Sequence, residues 1–175
     1  DEALERQLAY WREKLAGLPA LELPGDHPRP PVRSGRGAAQ PFGVEPELAE
    51  ALRRLSRQEE ATLFMILLSS FLVLLHHYLG GIEDIVVGTD VANRTRGETE
   101  GIIGLFVNQL VLRTGLSGDP PFREVVARVR RVTLEAYAHQ DAPFDKLVEV
   151  LNPVRDMSRT PLFQIKIVLQ NTPQE

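Results

Sequence analysis

Two adjacent histidines, His76 and His77, are the first residues in this sequence whose types could do chemistry, as ligands of one metal ion or as a general base. Their setting argues against both. They close the run TLFMILLSSFLVLLHHYL, which reads as a helix, and neighbours on a helix point about 100° apart, so the two rings cannot face one ion. No HExxH pattern and no carboxylate at helical spacing stands with them. They read as the polar end of a core helix. His139, followed by Gln140 and Asp141 at the junction of two helices, allows two readings. One is a His–Asp acid–base dyad; the other is a histidine that steadies a helix C-terminus while Asp141 caps the next helix. The serines form neither GxSxG nor SxxK, and Gly101 and Gly104 lack the lysine and spacing of a phosphate loop. With no cysteine in the chain, disulfides, thiolate metal sites and a cysteine nucleophile are excluded, and no metal site is expected.

Asn108 carries a sharper demand. It sits in LFVNQLVLR, a strand apolar on both faces, where an unpartnered amide costs about 1–3 kcal/mol. It therefore braces a neighbouring loop or faces a polar channel. Lys166 and Gln164 pose the same question on the last strand, although a solvent-facing edge would satisfy them. The arginines at 53, 54 and 57 and at 128, 130 and 131 read as solvated helix faces.

The elements that must position these residues follow from periodicity. Leu4, Leu8, Trp11 and Leu15 mark an amphipathic opening helix within residues 1–17, ended by Gly17 and Pro19. Five prolines between Pro19 and Pro31 make residues 18–35 an extended connector. A weakly signalled strand is expected at 36–43. Pro46 suits a first helical turn, and Leu48, Leu52 and Leu55 give a helix to about Gln58. The long apolar helix from Thr62 stops at Gly80 and Gly81. DIVVGTDV, at 84–91, reads as a buried strand. After the strand at 105–113, Gly118, Asp119 and Pro120 signal a turn and an N-cap. Phe122, Val125, Val126, Val129, Val132 and Ala136 then trace a helix. Another runs from Pro143 to a stop at Asn152 and Pro153. A final strand, LFQIKIVLQ, alternates Phe163, Ile165, Ile167 and Leu169 against Gln164, Lys166 and Gln170. Strands alternating with helices predict an α/β layer structure, a sheet covered by helices on at least one face.

Composition narrows the function classes. The 175 residues are 43% hydrophobic and 25% charged, in the range of one domain with its own core. A net charge of −4 with interspersed signs predicts no nucleic-acid or anionic-membrane partner. Residues 61–82 contain no aspartate, glutamate, lysine or arginine, yet Thr62, Ser69 and His76 fall on one stripe, as in a buried helix of a soluble protein. A cytoplasmic location without a signal peptide is expected, and the missing initiator Met suggests a piece of a longer protein.

Three segments, IIGLFVNQLVLR, AYAHQDAPFDKLVEVL and RDMSRTPLFQ, occur in an order and at distances that resemble the C-terminal lobe of a nonribosomal peptide synthetase condensation domain. Gln109, Asp145 and Thr160 stand where that family commonly has threonine, glutamate and asparagine. The resemblance spans residues 1–175 and implies one chloramphenicol-acetyltransferase-like lobe, a mixed sheet covered by helices. It implies a tunnel between two lobes, to whose ends carrier proteins bring substrates on phosphopantetheine arms for amide-bond formation. The family motif HHxxxDG, placed in the N-terminal lobe, is not formed here, because Gly81 and Ile82 occupy its last two positions after His76 and His77.

On this resemblance no catalytic residue is expected in the chain, and it binds no cofactor directly. Asn108, Gln140, Ser158 and Lys166 become candidate tunnel-lining residues. Arg94, ending VANR, becomes the candidate salt-bridge partner of the HHxxxDG aspartate. Ser158 has a second reading, a turn cap with Asp156. The expected partners are the N-terminal lobe, donor and acceptor carrier proteins and an adjacent adenylation domain. The alternatives are a stand-alone module that binds carrier proteins or self-associates through apolar surface, and a lobe of an epimerisation or heterocyclisation domain.

Overall fold

Local signals fix the helices where the periodicity places them. In the computed structural model, which describes residues 2–19, 21–94, 97–99, 101–153 and 156–170, α1 spans Glu2–Lys14, α2 Pro46–Gln58 and α3 Leu63–Tyr78. Strand β1 is Asp84–Val91, β2 is Asn108–Gly115, α4 is Phe122–Ala138 and α5 is Phe144–Leu151. Thr62 starts α3 by accepting the Met65 amide at 3.2 Å. Gly80 and Gly81, both at positive φ, end it. Asn152 in the left-handed region (φ 41°) ends α5 as its Asn-Pro sequence predicts.

β1 and β2 pair antiparallel from Asp84↔Gly115 to Val91↔Asn108. On β1's other side the chain near its C-terminal end adds one parallel bridge, Gly88↔Lys166, which makes the sheet mixed. Consecutive residues Leu110, Val111 and Leu112 are all buried, so both faces of the sheet are covered. α4 packs on α3 and β2, α3 on β1, and α5 on β2 and α1. Trp11 of α1 is buried, and its indole N–H donates to the His139 carbonyl at 2.9 Å. Arg113 of β2 binds Asp84 through Nε and Nη2 at 3.0 and 2.7 Å. Its Nη1 donates to the Lys14 and Ala16 carbonyls at α1's end. α1 is thereby fixed to the sheet and to the α4–α5 turn.

Four expectations need correction. Residues 36–43 form no strand: all are exposed, and a stretch holding Pro41, Gly37 and Gly43 makes poor ladder backbone without a neighbour already in place. β2 begins at Asn108, three residues later than expected, because β1 runs out at Val91; Leu105 and Val107 are exposed. The last strand contributes only its bridge, through Gly88 N–H to the Ile165 carbonyl at 2.8 Å and Ile167 N–H to the Gly88 carbonyl at 3.0 Å. Its alternation survives where it packs, with Phe163 and Ile165 buried and Lys166 exposed. Asp119 does not cap α4: it takes φ 47°, and Pro121 is the N-cap residue without a side-chain bond.

Among the described residues no single helix is long and apolar enough to cross a membrane, and α2 and α3 are bent by 106° relative to each other.

Candidate functional site

The start of β2 and the start of α5 are joined by one side chain. Asn108 donates from Nδ2 to the Gln140 and Ala142 carbonyls, both at 2.8 Å, and its Oδ1 accepts the Phe144 amide at 3.1 Å. The demand read from the sequence is met by bracing a loop. α5 needs this help, since Pro143 at its N-cap position makes no side-chain bond. Asp141, expected as that cap, is exposed.

Phe144 carries the junction further. Its ring lies 5.7 Å from that of Phe163, and the Phe163 ring covers Gly88 so closely that a Cβ there would stand 2.4 Å from Cε2 and Cζ. Two residues along β1, Asp90 accepts both bonds of the Lys166 ammonium, at 2.9 and 3.0 Å. Asp90 faces Gln109 and Val91 faces Asn108 in the β ladder. Asn108, the Gln140 turn and Lys166 therefore gather at one end of the sheet; the first two belong to segments the resemblance rests on, and Lys166 follows the third by two residues.

Ser158 stands elsewhere. Its hydroxyl and amide donate to Asp156 Oδ1 at 2.7 and 2.8 Å and hold that carboxyl below the usual carboxylate range. Its carbonyl accepts from Arg29, and Arg159 beside it pairs with Glu22, so the turn clasps the Pro-rich connector. A cleft of about 820 Å³ opens between this turn, α5 and the connector, lined by Leu18, Leu21, Val148, Met157 and Phe163 among others. None of Asn108, Gln140, Ser158 and Lys166 lines it. Gln164 turns its amide to the Thr160 carbonyl at 2.8 Å.

Arg94 is wrapped by the loop that follows it. Its guanidinium donates to the carbonyls of Thr99, Ile102 (3.0 Å) and Gly104 (3.4 Å) and lies 4.3 Å over the Phe106 ring. The loop so formed presents Ile103 and Leu105 almost fully to solvent. Residues 95, 96 and 100 of this loop, and Arg155 of the RDMSRTPLFQ segment, lie outside the described residues.

Two of the histidines bond backbone carbonyls of their own surroundings. His76 Nδ1 is 2.7 Å from the Ile82 carbonyl. His139 Nδ1 is 2.8 Å from the Glu135 carbonyl, and its ring stacks on Tyr10 at 3.7 Å. Burial, and then the negative charge of Glu135, push the Tyr10 phenol up to about 12. Glu135 itself is held low by the Lys14 ammonium at 2.7 Å. Among the described residues no group of three metal-ligating side chains gathers. Two partners escaped the sequence reading, Gly88 and Asp90. Gly88 had a signal, a glycine in the middle of a β-branched strand, which marks close approach of another group; Asp90 had none.

The family model for the condensation domain matches residues 1–175. The chain belongs to the condensation domain family. It is 56% identical over 171 residues to one of the linear gramicidin synthase proteins of Brevibacillus parabrevis, covering 97% of this chain and 3% of that protein. Identity to a plipastatin synthase protein of Bacillus subtilis (strain 168) is 46%, over 99% of this chain and 5% of that protein. Among solved structures, a four-domain nonribosomal peptide synthetase, holo-AB3403 bound to AMP and glycine, superposes with TM-score 0.92 at 31% identity, over 96% of this chain and 13% of that one. The X-domain from teicoplanin biosynthesis, in complex with OxyB, gives 0.88 at 32%, over 94% and 36%. The chain thus spans a few per cent of the curated relatives and about a third of the X-domain. The expected chloramphenicol-acetyltransferase-like α/β fold holds.

Proposed function

We propose that these 175 residues are the C-terminal lobe of a condensation domain that forms amide bonds between carrier-bound aminoacyl or peptidyl thioesters. The match along the whole chain carries this reading. In the reaction the acceptor amine attacks the donor thioester carbonyl, the carbon–sulfur bond breaks, and the phosphopantetheine thiol leaves on the donor carrier. The HHxxxDG motif that the resemblance places in the N-terminal lobe is not formed among these residues, so the lobe contributes walls and contacts and the partner lobe the polar chemistry. Gln140 and Lys166 are proposed for the tunnel wall, and Asn108 acts there through the turn it holds. Ser158 secures the connector. Arg94 and the apolar loop after it form the face toward the partner lobe, where uncovered Ile103 and Leu105 supply area for burial. Carrier proteins and an adjacent adenylation domain are the proposed partners in the assembled synthetase, and the phosphopantetheine arms arrive as substrate carriers.

The experiment supplies loaded donor and acceptor carriers to the lobe alone and to the lobe complemented with an HHxxxDG-bearing N-terminal lobe. Product from the complemented pair only is expected. Product from the lobe alone, or from neither, would overturn the reading. The likeness to an X-domain solved in complex with OxyB favours a second reading, a docking module without condensation activity. Carrier binding by the complemented pair with no product would support that one.

A further inference from the structure

We infer that Asn108 is a positioning residue, whose carboxamide serves α5 as a cap from another element and sets where the Gln140 turn stands against β2. A helix leaves its first amides without intrahelical acceptors, and a serine, threonine, aspartate or asparagine at the N-cap usually takes one of them. α5 has Pro143 at that place, and no side chain of its own segment bonds there. Asn108, 36 residues earlier in the chain, takes the first one, the Phe144 amide. The same carboxamide spends both of its hydrogens on the carbonyls of Gln140 and Ala142.

Three groups facing three directions of backbone polarity require one acceptor and two donors on a short planar side chain, which asparagine alone supplies. Aspartate would aim a second lone-pair oxygen at two carbonyls. Serine offers one hydrogen, and glutamine carries the amide one methylene too far. Because both hydrogens are engaged, a substrate carbonyl finds no donor on Asn108; what reaches the substrate is the turn it holds. Ala142 in that turn is buried, and Phe144 beside it rests on Phe163, which rests on Gly88. A shift of the turn therefore moves Gln140 and presses on the Lys166 segment together.

The activity part of the test rests on the condensation reading; the exchange part does not. In this chain, Asn108→Ala is expected to speed amide exchange at Phe144 and the next three residues by roughly tenfold, the scale of a lost cap. Unchanged exchange would overturn the inference. Pro143→Ser gives α5 a cap of its own, and the Asn108→Ala/Pro143→Ser pair is expected to regain exchange protection. In the complete condensation domain with loaded carriers, the same pair is expected to stay at least tenfold below wild type in product formation, because the turn is still unheld. Recovery of both protection and product would reduce Asn108 to a helix cap and overturn the positioning role. Asn108→Gln keeps every group on a longer arm and guards against simple unfolding. It is expected to remain folded and lose product by more than tenfold, and wild-type turnover from it would also overturn the inference. If the wild-type domain makes no product, the condensation reading falls while the exchange result still decides the role in holding α5.

Discussion

Gly88 is the position at which a single methyl group should do most damage to the sheet. It lies in the centre of β1, takes both backbone bonds of the C-terminal bridge, and is covered by the Phe163 ring. An alanine Cβ would stand 2.4 Å from two ring carbons, well inside the contact distance of about 3.5 Å between carbon atoms. Phe163 cannot swing away cheaply, because its other side meets Phe144 and the chain two residues on is bonded to Gly88 itself. Overpacking in a tight core costs about 1–3 kcal/mol, and a contact this short in a tethered ring belongs near the upper end, about 2–3 kcal/mol. For a chain of this size that corresponds to a melting shift of about 4–12 °C. The control is Gly115→Ala on the partner strand, where nothing lies within 4 Å of the added Cβ; its expected effect is within about 0.5 kcal/mol. The assay is urea unfolding followed by circular dichroism, comparing midpoints at constant m. If Gly88→Ala matches the control, the ring is not held where the close approach requires it, and the account of the junction fails.

Arg94→Lys keeps the charge and loses the fork. It is expected to speed amide exchange at Ile102, whose N–H donates to the same Thr99 carbonyl that Arg94 binds, as much as Arg94→Ala does, and protection retained by lysine would show that the charge alone suffices. Lys166→Met removes a half-exposed pair with Asp90 and should cost less than about 1 kcal/mol in chemical unfolding, with the difference shrinking at high salt. Tyr10 is expected to make stability pH-dependent in alkali. Its phenol ionises near 10 unfolded and at about 12 folded, so its contribution is complete below pH 10 and is lost as pH rises through 12. Tyr10→Phe should flatten that part of the unfolding curve, and an unchanged slope between pH 10 and 12 would contradict the burial assigned to Tyr10.

The helices were legible because their signals are local. Leu8 and Trp11 lie one helical step apart, Thr62 caps the residue three positions on, and Asn152 before Pro153 has only one way to end a helix. The strands were legible only where both partners are short-range or strongly apolar. β1 and β2 fall close to their expected places, whereas residues 36–43 carry no pairing information without the strand that would lie beside them. The same physics separates the two halves of the candidate site. A buried asparagine announces that it needs partners, but the carbonyls of Gln140 and Ala142 are backbone groups, identical in every residue type, and only the fold names them. Gly88 stood out as a glycine among valines, and the ring that explains it arrives from a segment 75 positions later.

The bond from Trp11 to His139 makes α1 a lever as well as a packing element. The helix is gripped at three further places along its length, by Gln7 to the Ala138 carbonyl, by Lys14 to Glu135, and by Arg113 on its last carbonyls. These contacts all fall on the half of α1 from Gln7 onward, so that half moves as one with the α4–α5 turn. A displacement of this gripped half would reach the carbonyl of His139, one residue from Gln140, and with it the turn that Asn108 holds.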